Sequence, residues 1–171
     1  MDTFFEQIVS IKKSGKSIFL FFLIWMFAIL ICLLLLLFGT SFVGPLTPIF
    51  IVAVGYGAWW LSSKFNIEYE YIVTNGTMDV DKIINKSSRK RISSFELANV
   101  ERVEKYNSHL LQNIKSENIV FACDPNSPDA YLIVASKEDT KVNYIVFTPS
   151  EKLKEAIKKS LPKFISNSAF K

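Results

Sequence analysis

The residues in this 171-residue chain whose types could do chemistry are two cysteines, one histidine, two pairs of alternating carboxylates and one dense basic run. Cys123 could act as a nucleophile only beside a base that depresses its pKa. It follows Ile119-Val120-Phe121-Ala122, the setting of a core strand. His109, the only histidine, stands in a polar stretch with no Cys, Asp or Glu at metal-ligand spacing, as a surface residue does. Glu68/Glu70 and Asp79/Asp81 invite a carboxylate-dyad or cation reading, but alternation along exposed strand faces accounts for both pairs. The sequence has no phosphate-cradling glycine loop, Ser-His-Asp pattern or Cys-x-x-Cys motif. The expectation is a non-enzymatic protein without cofactor or metal.

The densest basic cluster is Arg89, Lys90 and Arg91, with Lys86 just before it. Two chemistries fit it. It could attract anionic lipid headgroups, at roughly 1 kcal/mol per basic residue near a membrane surface. It could instead neutralise Glu68, Glu70, Asp79 and Asp81 across a sheet. The second is favoured, because the adjacent segment supplies those acids. A net charge of +4 and a pI near 9.0 could suggest nucleic acid. The distribution argues against it: Lys12, Lys13 and Lys16 precede an apolar stretch, Lys64 follows it, and no recognition module accompanies them.

That stretch organises the chain. From Ser17 to Ser63 there is no Asp, Glu, Lys, Arg or His. About 47 such residues suffice for two helical bilayer crossings of about 20 each. Spans are expected near 17–38 and 46–63, reversing at Gly39 to Pro45, with Pro45 and Pro48 in the first turn of the second helix. Lys12, Lys13, Lys16, Trp59, Trp60 and Lys64 then read as membrane-interface anchors, and the positive-inside rule places both termini in the cytoplasm of a plasma-membrane protein. The apolar stretch Ile18 to Phe38 is too long for a signal-peptide core and a second span follows. Cys32 in span one and Cys123 are not expected to pair, which fits a reducing compartment. Ala53 and Gly57 have small-xxx-small spacing, with Gly55 between them; they would pack span two on span one or, less simply, join two copies. With no ionisable group inside either span, a transport path has no visible chemistry. Residues 1–16 read as an amphipathic arm, with Thr3 and Glu6 at capping-box spacing and Phe4, Phe5, Ile8, Val9 and Ile11 forming an apolar side of a short helix.

After Lys64 the period becomes strand-like. Ile67 to Thr74 alternates, Asn75-Gly76 supplies a tight hairpin turn, and Thr77 to Ile84 returns. Pairing Thr74 with Thr77 sets Tyr71 opposite Val80, Val73 opposite Met78 and Glu70 opposite Asp81 on an outer face. Such a like-charge pair needs a basic neighbour. Strands are expected at 89–95, around Val100 to Val103, and at Ile119 to Cys123, Ala130 to Ala135 and Val142 to Phe147, with polar turns between them. Thr148-Pro149-Ser150-Glu151 opens a helix with Thr148 as cap. Its apolar stripe is Leu153, Ala156, Ile157, Leu161 and Phe164, its lysines are mostly off that stripe, and Pro162 ends or bends it.

Four strands, a longer connection, three strands and one amphipathic helix resemble the order of the pleckstrin-homology-like fold. The run Tyr69-Glu70-Tyr71-Ile72-Val73-Thr74-Asn75-Gly76, the Arg-Lys-Arg cluster and Val100-Glu101-Arg102-Val103-Glu104 look like the opening of bacterial PH domains. Together with Met1-Asp2-Thr3-Phe4-Phe5-Glu6 and the paired spans, nearly the whole chain resembles a family of small two-span bacterial membrane proteins carrying such a domain. The resemblance implies a transmembrane α-hairpin (residues 17–63) followed by a PH-like domain (residues 64–171). That domain would have seven antiparallel strands in a partly open barrel capped by the C-terminal helix. It implies no activity. Phosphoinositide-binding PH domains carry their basic motif around an extended first loop, whereas Thr74-Asn75-Gly76-Thr77 is tight. The expected function is a membrane-anchored module binding a protein partner or the anionic membrane surface on the cytoplasmic face. The alternative is a structural subunit or assembly factor of a larger membrane complex.

Overall fold

The computed structural model describes residues 4–11, 13–112, 114–136 and 143–170. They form two compact units: residues 13–66, and the strand-rich remainder to which residues 4–11 also belong.

In the first unit, helix α1 (Gly15–Phe42) and helix α2 (Thr47–Ser63) are joined by a 3-10 turn at Gly44–Leu46. Both are long and apolar enough to cross a membrane. Gly44 takes a positive φ of 61°, which lets the chain reverse before Pro45. The two helices approach closely at Gly39, where an added Cβ would lie 2.8 Å from Thr47 Cγ2. The small residues of α2 do not make this contact. A Cβ at Gly55 or Gly57 would meet nothing within 4 Å, and Ala53 is exposed. Packing of span two on span one through Ala53 and Gly57 is therefore corrected: Gly39 and Thr47 make the close approach instead.

The second unit contains eight strands among the described residues: β1 (Phe4–Ser10), β2 (Ile67–Thr74), β3 (Thr77–Ile84), β4 (Ser88–Glu96), β5 (Val100–Lys105), β6 (Ile119–Phe121), β7 (Tyr131–Ala135) and β8 (Tyr144–Phe147). They make two four-stranded sheets, ordered β1-β2-β3-β4 and β5-β7-β8-β6. Three expectations change here. The N-terminal arm is a strand rather than an amphipathic helix, with Phe5, Gln7 and Val9 inward and Phe4, Glu6 and Ile8 outward. Its apolar residues fit either period, and the open edge of β2 decides between them. Seven strands lie after Lys64 among the described residues, with β1 added from the arm, but β6 runs parallel to β8 rather than antiparallel, and the sheets do not close into a barrel. The strand expected at Val100 opens the second sheet instead of ending the first.

The register of the Asn75-Gly76 hairpin is the one the turn dictates, with Thr74 opposite Thr77 and Glu70 opposite Asp81; both turn residues have positive φ. Tyr71, Val73, Met78, Val80, Ile133 and Phe147 are buried in the common core between the sheets. The Tyr71 hydroxyl donates to the Ala122 carbonyl at 2.7 Å, satisfying its one polar atom inside that core. Helix α3 (Glu151–Ser160) adds Leu153 and Ile157 to it. Its cap is Ser150, whose hydroxyl accepts from the Leu153 amide, and not Thr148. Pro162 ends α3 and starts the short helix α4 (Lys163–Ser166), which turns Ile165 inward and leaves Phe164 exposed, off the expected stripe.

Candidate functional site

The sheet β1–β4 has an outer face carrying Glu6, Glu68, Glu70, Asp79, Asp81, Arg89 and Arg91. What brings arginines to the acids is a bulge. From Val80 opposite Ser93 the register shifts, so that Asp81 faces Arg91 and Ile92 is the extra residue on β4. Regular pairing would instead have set Ile92 against Asp81 and Arg91 against Lys82.

Arg91 makes two bonds to Asp81, at 2.9 and 3.4 Å, and a 3.0 Å ion pair with Asp79. The hydrogen bond to Asp81 leads the effects that raise its already high pKa further. Ser94 Oγ donates to Asp79 Oδ1 at 2.6 Å. Arg89 reaches over β3 to lie 3.3 Å from Glu70 Oε1. Glu70 is the anomaly of this face. It was expected on an exposed strand face, yet it is 0% exposed and neither carboxylate oxygen has a hydrogen-bond donor among the described residues. Burial pushes its carboxyl above the usual range, the nearby acids Glu6 and Asp81 add to this, and Arg89 pulls the other way. Asp81 is also buried. The exposed-face reading of Glu70 and Asp81 is corrected: β1 on one side and the arginines on the other cover them.

The four basic residues singled out in the sequence therefore divide. Arg89 and Arg91 balance acids of the hairpin. Lys90 and Lys86 do not join them. The bulge sets Lys90 directly opposite Lys82 on the other face of the sheet, and Lys86 sits at the tip of the β3–β4 turn with φ 57°. Lys86 and Lys90 are exposed, Lys82 is half-buried, and none of the three has an ion pair among the described residues. Like charges directly opposed across strands are unfavourable. Lys82 was missed in the sequence, where its place opposite Lys90 depends on the bulge.

Among the interface residues, Lys64 Nζ lies 3.4 Å from the Trp60 ring centroid, Trp59 is exposed, and Lys13 stands 5.7 Å from the Phe21 ring. Lys16 is exposed, and Lys12 lies outside the described residues. His109 is exposed in a 3-10 turn, with Nδ1 3.0 Å from Gln112 Nε2. Cys123 is buried, and burial pushes its thiol up, the wrong direction for a thiolate nucleophile. Among the described residues no group of three or more His, Cys, Asp or Glu could hold a metal ion. Gln7 on β1 was also missed: its Nε2 donates to the Thr148 carbonyl at 3.0 Å and its Oε1 accepts from the Ser150 amide at 2.8 Å, tying the first strand to the start of α3.

No curated protein and no solved structure matches this chain. The two sheets with their C-terminal helix, and the strand and paired helices that precede them, agree with a family match over residues 1–167: the chain belongs to the family described as bacterial PH-like domain (DUF6106).

Proposed function

We propose that this protein is a non-enzymatic, membrane-anchored binding module. Its two apolar helices hold a PH-like domain at the cytoplasmic face of the plasma membrane, with both termini on that side. The connections on the two sides of the hairpin, residues 12–14 and 64–66, are three residues each and so span no more than about 14 Å even when extended. The domain then works beside the anionic surface, and Lys82, Lys86 and Lys90 are its contact.

The observation that carries this reading is the division of the basic cluster. Two arginines are engaged by acids, while Lys90 stands opposite Lys82 with no acid between them. An anionic headgroup would relieve that repulsion. Arg89 and Arg91 are given up as lipid contacts on the same ground. The test uses the full chain in nanodiscs of neutral lipid or with an anionic fraction. Amide protection over residues 82–90 is expected to rise with anionic lipid and fall at high salt. Equal protection in both lipids would overturn the assignment.

A second reading, a subunit or assembly factor of a larger membrane complex, is supported by the open space beside Gly57 and the exposure of Ala53, one turn apart on α2. These leave a small-residue surface on α2 to which another helix, from a second copy or another protein, could come close. Stoichiometric recovery with other integral proteins in mild detergent supports it; recovery alone counts against it.

A further inference from the structure

Strands β1, β4, β5 and β6 lie at the edges of the two sheets, and three of them are guarded against further pairing. Strand β4 carries Arg89, Lys90, Arg91 and a bulge, β5 has four charged residues among its six, and β6 is three residues long. Strand β1 has none of these guards: it is seven residues long, contains no proline, and has Glu6 as its one charge. Among the described residues no strand lies beyond it. Its backbone phase follows from one bond. The Ile11 amide donates to the Ile67 carbonyl at 3.3 Å, and bonded pairs alternate along an antiparallel ladder. Val9, Gln7 and Phe5 are therefore turned to β2, which leaves the amides and carbonyls of Phe4, Glu6, Ile8 and Ser10 facing the open edge. The same residues put their side chains on the outer face, where Phe4 is 66% and Ile8 49% exposed. Glu6 stands between those two, exposed and without an ion pair among the described residues. Charge here is one-sided, because β1 and β2 present Glu6, Glu68 and Glu70 on this face and contain no Lys or Arg. Arg89 of β4 lies 3.3 Å from Glu70, and Glu68 accepts from the Ser10 hydroxyl at 3.0 Å.

We propose that the open edge of β1 docks an extended segment of another protein, one with apolar, basic and apolar residues at successive alternate positions. The segment adds a fifth strand to the sheet β1–β4. Its backbone meets the free amides and carbonyls of Phe4, Glu6 and Ile8, and every second side chain supplies specificity. On the outer face this sets a Lys or Arg beside Glu6 and apolar residues beside Phe4 and Ile8. The one-sided charge selects this partner over two others. An acidic segment would add to three carboxylates, and a second copy of β1 would bring a second set of the same carboxylates to the face. Gln7 holds the template still. Its side chain bonds the Thr148 carbonyl at 3.0 Å and the Ser150 amide at 2.8 Å, fixing β1 from the inner side while its outer row stays free. The site is at the opposite edge of the sheet from β4 and Lys90, and it does not depend on lipid contact by the lysines.

The test is amide hydrogen exchange of the full chain in neutral nanodiscs with a capped heptapeptide as probe. The peptide has lysine at its centre, valine two residues to either side and threonine elsewhere, a pattern that reads the same in both directions. At millimolar peptide the outward amides of Glu6 and Ile8 are expected to slow by about tenfold or more, while those of Gln7 and Val9, already bonded to β2, change little. The same peptide with glutamate at its centre should bind about tenfold more weakly. Glu6→Lys should reverse that preference, and because Glu6 is exposed the variant leaves the core intact. Ile8→Pro removes an outward amide, a change an edge strand tolerates, and should abolish the slowing at Glu6. Equal slowing by both peptides, an unchanged preference in Glu6→Lys, slowing confined to other parts of the chain, or no slowing at all would overturn the site. Exchange at Glu6 and Ile8 that is slow without peptide and slows further with more copies per nanodisc would overturn it in favour of a second copy.

Discussion

The two faces of the β3–β4 hairpin carry the same kind of residue in opposite situations. On the outer face, Arg89 and Arg91 meet Glu70, Asp79 and Asp81 at 2.9–3.3 Å, and two of those acids are buried. On the other face, Lys82 opposes Lys90, and Lys86 sits at the turn with no ion pair among the described residues. Only one position separates Arg89 from Lys90, so composition cannot distinguish them; strand alternation and the bulge at Ile92 do. A planar guanidinium suits a fixed, two-pronged carboxylate contact, whereas a flexible, strongly hydrated ammonium suits a mobile anionic partner. The arginines belong to the architecture, while the three lysines have no ion pair among the described residues.

The largest effect expected from breaking this contrast is at Arg91. Arg91→Ala leaves a buried Asp81 and a half-buried Asp79 without their cation. Removing one member of a fully buried pair costs about 3–5 kcal/mol. The guanidinium is 52% exposed, so solvent screening reduces this to about 1–2 kcal/mol. Thermal unfolding of the full chain in detergent measures it. A loss no greater than that of Lys90→Ala would erase the distinction between the faces.

Next comes Glu70, where the effect depends on pH. Its folded-state affinity for a proton is raised above the unfolded one, so its contribution is most favourable at acid pH and becomes a cost as pH rises through the folded value. Domain stability of the wild type should therefore decline from mildly acidic toward neutral pH, and Glu70→Gln should remove that part of the slope. A wild-type profile that only rises with pH over this range would place Glu70 among the ordinary paired carboxylates.

Much of this was legible in the sequence, and the boundary has physical causes. Asn75-Gly76 dictates its turn, and from that turn follow the pairings Tyr71–Val80, Val73–Met78 and Glu70–Asp81 without further information. The two apolar helices announce themselves by length and absence of charge. Non-local facts were hidden. Phe4 to Ile11 satisfies a helical and a strand period equally, and only the free edge of β2, nearly sixty residues later, selects the strand. The burial of Glu70 is hidden for the same reason, because β1 is part of its cover. The bulge at Ile92 leaves no turn-residue signature. Hence the acid–base balance across the hairpin could be anticipated, while the division between Arg89 or Arg91 and Lys86 or Lys90 could not.

The smallest effect on stability is the most useful one for function. Lys90→Glu turns a like-charge cross-strand pair with Lys82 into an opposite-charge pair, worth a few tenths to about 1 kcal/mol in favour of the fold. The same change removes one attractive charge from the surface proposed to meet anionic lipid and adds a repulsive one, which should weaken that contact by tenfold or more. Stability and membrane contact are therefore expected to move in opposite directions in a single variant. A merely structural role for Lys90 predicts a more stable domain with unchanged protection of residues 82–90 on anionic nanodiscs. The lipid-facing role predicts a more stable domain that has lost it, and raising salt in the wild type should reproduce the second change without the first, since screening acts on the long-range attraction to the surface and leaves the packed core alone.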